Sequence, residues 1–68
     1  MAEALGNRLK ERRAELGLTQ AELAERCGVS RKTVNTVENG VFVPSTLLAL
    51  KLAAALDRRV DELFWVDS

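Results

Sequence analysis

Three glycines, Gly17, Gly28 and Gly40, punctuate this chain at intervals of 11 and 12 residues, and each closes a stretch with helix-like apolar spacing. A glycine one step past the last periodic residue takes up the left-handed backbone that ends a helix. Such spacing cuts the chain into short helices, and an all-α fold is the expectation. At 68 residues the chain is shorter than the roughly 100–200 residues common for one domain. We therefore expect a compact five-helix unit, with residues 1–68 forming a single domain.

Leu5, Leu9 and Leu16 share one face of a 3.6-residue period, with Arg8, Lys10, Glu11, Arg12 and Glu15 outward, which predicts a first helix over about 3–16. Thr19 followed three residues on by Glu22 is a capping box, and Leu23, Ala24 and Cys27 give the second helix, about 20–27, its apolar face. Ser30 caps a third helix, about 31–39, with Val34 and Val37 inward. Only Gly28 to Ser30 separates these two helices, so they must cross steeply, with Val29 as an apolar pin between them. Pro44 keeps Val43 out of helical conformation, and Ser45 caps a fourth helix over about 46–56. Leucine and alanine cover nearly its whole circumference, which suits a helix surrounded by others or shared with a second subunit. Val60 to Phe64 predicts one last turn, with Asp61 and Glu62 at its positive end.

Composition excludes several classes of function. Ten Lys+Arg balance ten Asp+Glu, so net charge selects no partner. The distribution is uneven: Arg8, Lys10, Arg12, Arg13, Arg26, Arg31 and Lys32 outnumber the five acids of residues 1–32 by two. Cys27 has no second cysteine to pair with and no leader-like segment opens the chain, so a cytoplasmic protein is expected. The longest apolar runs fall far short of the ~20 residues of a membrane-spanning helix, and no membrane partner is expected. With no His, no Tyr and one Cys, the usual zinc sites and His-based triads are ruled out. We expect no metal, no cofactor, no small-molecule ligand and no enzymatic activity.

The chemistry concentrates at the start of the third helix. Unpaired N–H groups and the helix dipole make a first turn partly positive, so acids are favoured there, as Glu22, Asp61 and Glu62 illustrate. The third helix instead opens with Arg31 and Lys32 and carries no acid nearby. A local rule broken at one place points to function, and an external phosphate would resolve the conflict. Asn35 and Thr36 follow these cations at i+4, forming a polar stripe opposite Val34 and Val37. Alone, such a stripe is ordinary solvated surface. Arg and Lys also suit guanine O6/N7, Asn suits adenine N6/N7, and a Thr methyl suits the thymine methyl, so the stripe is chemically able to read a major groove.

The run from Leu18-Thr19-Gln20-Ala21-Glu22 through Val29-Ser30-Arg31-Lys32-Thr33 to Glu38-Asn39-Gly40, with the first helix and Pro44-Ser45 to Leu63-Phe64, resembles the lambda-repressor-like (Xre/Cro-type) helix-turn-helix family. The resemblance implies a helix-turn-helix at the second and third helices. It implies a sequence-specific double-stranded DNA-binding transcriptional regulator, with repression as the expected mode and a homodimer on a pseudo-palindromic operator. Carried over residue by residue, Arg31, Lys32, Asn35 and Thr36 would face base edges. Thr19, Gln20, Ser30, Thr33, Asn39 and the Gly40 N–H would hold phosphates. Two stretches depart from the family pattern: Val41-Phe42-Val43 carries no cation after Asn-Gly, and Asp57 and Arg59 stand where many relatives have a glycine and a Ser or Thr cap. The alternative reading is a protein-interaction module, such as an antitoxin or bridging factor of the same fold.

Glu38 lies beside Val37 on the inner side of the third helix, where a lone carboxylate is costly to bury, and Arg13 lies where the first helix passes over it. We expect a partly buried ion pair with a structural role, as the resemblance also implies. Cys27 reads as a small core residue. Phe42, Trp65 and Val66 have no obvious place in a five-helix core and are candidates for a dimer interface, with satellite core packing as the alternative.

Overall fold

The structure, a computed structural model, describes residues 3–67. In chain order its elements are β1 (Ala4–Asn7), α1 (Leu9–Glu15), α2 (Gln20–Cys27), α3 (Arg31–Glu38), α4 (Thr46–Leu56), α5 (Val60–Leu63) and β2 (Phe64–Asp67). Three helices start at the side-chain caps written in the sequence. Thr19 Oγ1 accepts from the Glu22 N–H at 3.0 Å while the Glu22 carboxylate accepts from the Thr19 N–H at 2.9 Å. That second bond is the main reason the Glu22 carboxyl sits below the usual carboxylate range. Ser30 Oγ accepts from Thr33 N–H and Ser45 Oγ from Leu48 N–H, both at 3.1 Å.

The expected helix over 3–16 is corrected. Its first part is a strand, and the helix begins at Leu9. β1 pairs antiparallel with β2, Leu5 opposite Val66, Gly6 opposite Trp65 and Asn7 opposite Phe64. Asn7 then turns the chain, its Oδ1 accepting from Leu9 N–H at 3.1 Å and its Nδ2 donating to the Val37 carbonyl at 3.1 Å. One amide thus satisfies the first N–H of α1 and ties that end to the end of α3. The last helical turn also stops one residue earlier than expected, because Phe64 opens β2.

The core is assembled from α1 to α5 around Leu9, Leu23, Val34, Val37, Leu52, Leu56 and Leu63, all essentially inaccessible to solvent. Cys27 is buried among them, and burial pushes its thiol pKa up, as a core role requires. Leu18 takes the core place expected of Leu16, which is exposed. Arg12, expected outward, folds inward instead, and its Nε donates to the Leu56 carbonyl at 2.8 Å. A cation at the open carbonyls of α4 is favoured by the helix dipole.

Among non-glycine residues described, Asp57 alone has a left-handed backbone, φ +53°, as C-cap of α4. The left-handed region penalises a Cβ, so Asp57→Gly should raise stability by about 0.5–1 kcal/mol despite the greater freedom of the unfolded chain. A urea titration that leaves the midpoint unchanged or lowers it contradicts this.

Candidate nucleic-acid interface

The turn between α2 and α3 holds because Gly28 takes φ +68° and the Val29 N–H reaches back to the Ala24 carbonyl at 3.0 Å. Val29 packs against the core, as a pin between the helices must. With Val34 and Val37 buried, the opposite side of α3 is presented outward.

Arg31, Lys32 and Asn35 are exposed on α3 and Thr36 is half-buried. No acid lies in the first turn of α3, and neither Arg31 nor Lys32 enters an ion pair among the described residues. Their charges face solvent beside a helix N-terminus with spare N–H groups, the setting that attracts a phosphate or a guanine edge. The Thr36 hydroxyl donates to the Thr33 carbonyl at 2.9 Å, which leaves its methyl and the accepting side of its oxygen for a base.

The residues expected at phosphates flank this surface with different freedom. Thr19 Oγ1 and Ser30 Oγ accept backbone N–H bonds as caps, which leaves hydroxyl hydrogens to donate. Ser30 Oγ and Thr33 Oγ1 are 2.9 Å apart, so one of that pair donates to the other and one hydrogen remains. The Gly40 N–H donates to the Val37 carbonyl at 3.1 Å, so a phosphate there would share that hydrogen. Asn39 Nδ2 reaches Asn35 Oδ1 at 3.3 Å.

Behind the surface, Arg13 Nε donates to Glu38 Oε2 at 2.8 Å and Arg13 Nη2 to Glu38 Oε1 at 3.3 Å. The side chains are 15% and 4% accessible, so the pair is largely withdrawn from water. Hydrogen bonding to Glu38 holds the Arg13 guanidinium pKa above its already high ordinary value, and the pair stays charged on the arginine side at any accessible pH. Arg13 Nη1 also donates to the Leu18 carbonyl at 2.9 Å, tying down the turn before α2. Gln20 Nε2 donates to Glu38 Oε1 at 3.0 Å, a contact that single-residue sequence reasoning missed because the two lie 18 positions apart.

The three dimer candidates fall on different surfaces. Trp65, 40% exposed, lies over Gly6, and Arg8 stands above its ring at 5.0 Å from the centroid. Trp65 therefore clasps the paired chain ends on one face of the sheet. Val66 alternates to the other face, with Leu5 and Phe64, which line an apolar groove of about 350 Å³ with Val43, Pro44, Ala49, Leu50 and Val60. Phe42 is about half-exposed in the loop after α3.

Residues 9–63 match the helix-turn-helix family model. The chain is 44% identical over 61 residues to the uncharacterised HTH-type transcriptional regulator YgzD of Bacillus subtilis, covering 90% of this chain and 92% of that one. It is 48% identical over 60 residues to an uncharacterised HTH-type transcriptional regulator of Methanothermobacter thermautotrophicus, covering 87% of each. Its fold is similar to the restriction-modification controller protein C.AhdI from Aeromonas hydrophila, with a TM-score of 0.76 and 42% identity over 79% of this chain and 82% of that one. The outward cations of α3, the tight turn before it and these likenesses agree: the chain belongs to the lambda-repressor-like branch of the helix-turn-helix family.

Proposed function

We propose that this chain is a DNA-binding transcriptional regulator that lays α3 in the major groove of double-stranded DNA. The observation that carries the reading is the exposed Arg31-Lys32 pair at an acid-free helix N-terminus. Arg31, Lys32, Asn35 and Thr36 meet base edges, while Thr19, Gln20, Ser30, Thr33, Asn39 and the Gly40 N–H meet the backbone. No described helix is long and apolar enough to cross a membrane, in keeping with a protein that works beside DNA in the cytoplasm. Repression is the expected mode. Residues 1–68 act as one domain. Selection of bound duplexes from a random pool tests the reading. Retained sequences should contain inverted half-sites about 34 Å apart, one turn of duplex. Failure to retain any duplex at low ionic strength removes it.

One module touches few base pairs, so useful affinity calls for two copies on a two-fold operator. We assign the second copy to the apolar face of Val43, Leu47, Leu50 and Val66, which are 54–68% exposed. An exposed surface of this kind on a soluble protein marks an interaction site. Leu50→Glu should shift the protein to monomer in sedimentation at micromolar concentration, whereas Trp65→Ala should associate as the parent does. The reverse pattern would transfer the interface to the Trp65 face. The exposed Val41-Phe42-Val43 loop is the observation that favours the protein-interaction reading, under which salt would have little effect on partner binding.

A further inference from the structure

We propose that Glu38, in addition to pairing with Arg13, sets the orientation of the Asn35 carboxamide and so acts as a positioning residue for base readout. The proposal rests on the DNA-binding reading above. It follows from the direction of hydrogen bonds along one chain of side chains. An ionised carboxylate only accepts, and a guanidinium only donates. Arg13 occupies Glu38 from one side, and Glu38 Oε1 is 3.0 Å from Gln20 Nε2, so Gln20 must turn its NH2 toward Glu38. The Gln20 Oε1 is then turned to Asn35, whose Nδ2 approaches it at 3.5 Å, and the second Gln20 N–H is left for a phosphate. Asn35 Oδ1 is left to face Asn39 Nδ2 at 3.3 Å.

An exposed asparagine amide ordinarily turns over freely, since its two ends are alike in shape. Here the charge buried at Glu38 breaks that equivalence two residues away in the relay. Asn35 keeps one unused N–H and one unused lone pair on defined ends of the amide. Adenine presents an N7 acceptor and an N6 donor side by side, so an amide held in one sense is ready to recognise it, and the flipped amide is not. Pre-ordering of this kind removes the entropy of immobilising the side chain on binding.

The test is operator competition with all four bases substituted in turn at the position contacted by Asn35 and at the position contacted by Arg31. Asn35→Ala identifies the first position. Glu38→Gln lets the relay run in the reverse sense, and Gln20→Met, of similar shape, removes it while leaving the Arg13–Glu38 pair in place. In both variants, with the folded fraction measured by circular dichroism, discrimination at the Asn35 position should fall about two- to tenfold, the size of a lost side-chain pre-ordering. Discrimination at the Arg31 position should stay at the parent value. Equal losses at both positions, or no loss at the Asn35 position in Gln20→Met, overturn the proposal while leaving the DNA reading intact. Failure of the parent protein to retain any duplex overturns both.

Discussion

Replacing Glu38 with alanine should lower the unfolding free energy by about 2–4 kcal/mol, because it strands a guanidinium in a place largely closed to water. The loss is somewhat smaller than the roughly 3–5 kcal/mol of a fully buried pair, since Arg13 retains some access to solvent and its bond to the Leu18 carbonyl. A chain of this length has about 3–10 kcal/mol of stability in total, at about 0.05–0.15 kcal/mol per residue. The variant would therefore sit near the edge of folding. With a urea slope of about 1–2 kcal/mol/M for a small protein, the midpoint should fall by at least about 1 M. The double variant Arg13→Met with Glu38→Leu should recover part of the loss, since no charge remains unpaired and the apolar side chains extend the core at Val37. An unchanged midpoint in Glu38→Ala would show the pair to be a solvated contact. A double variant as unstable as the single one would place the cost in the lost hydrogen bonds.

Caps and breakers act within a few residues, and wherever they decide the structure the sequence is readable. The capping box at Thr19 and Glu22, the Ser30 and Ser45 caps, and Gly28 set α2, α3 and α4 at their expected starts. The candidate site was legible for the same reason: Arg31 and Lys32 violate a local electrostatic preference and need no distant residue to be noticed. The strands were not legible, because β1 exists only through a partner at the far end of the chain. Leu5 and Leu9, four apart, satisfy a helical period equally well, yet Gly6 and Asn7 between them were the available warning. Glycine is poor in a helix interior, and asparagine prefers the position before a helix. The structure adds a reason for Gly6, since a Cβ there would collide with the indole of Trp65. The relay from Glu38 through Gln20 to Asn35 was invisible for a related reason: its members lie on two crossing helices, and hydrogen-bond direction appears only with coordinates.

Truncation of Arg31 to alanine should weaken operator binding by about 1–3 kcal/mol, or roughly five- to 150-fold, and relax selectivity at one base position. Arg31 is exposed and unpaired among the described residues, so the free protein should lose little stability and the effect should belong to the complex. Thr33→Val offers the contrasting case, since it removes a hydroxyl that we propose meets the duplex backbone rather than a base. It should weaken operator and unrelated duplex by one smaller factor and leave base preference alone. Salt separates the two contributions further. Removal of a cation that neutralises a phosphate lowers the slope of log affinity against log salt by about 1, whereas loss of a neutral hydroxyl leaves that slope in place. If Arg31→Ala reduces the slope by a full unit and lowers affinity for every duplex equally, Arg31 sits on a phosphate. The base contact would then pass to Lys32 or Asn35, its neighbours on the same exposed face of α3.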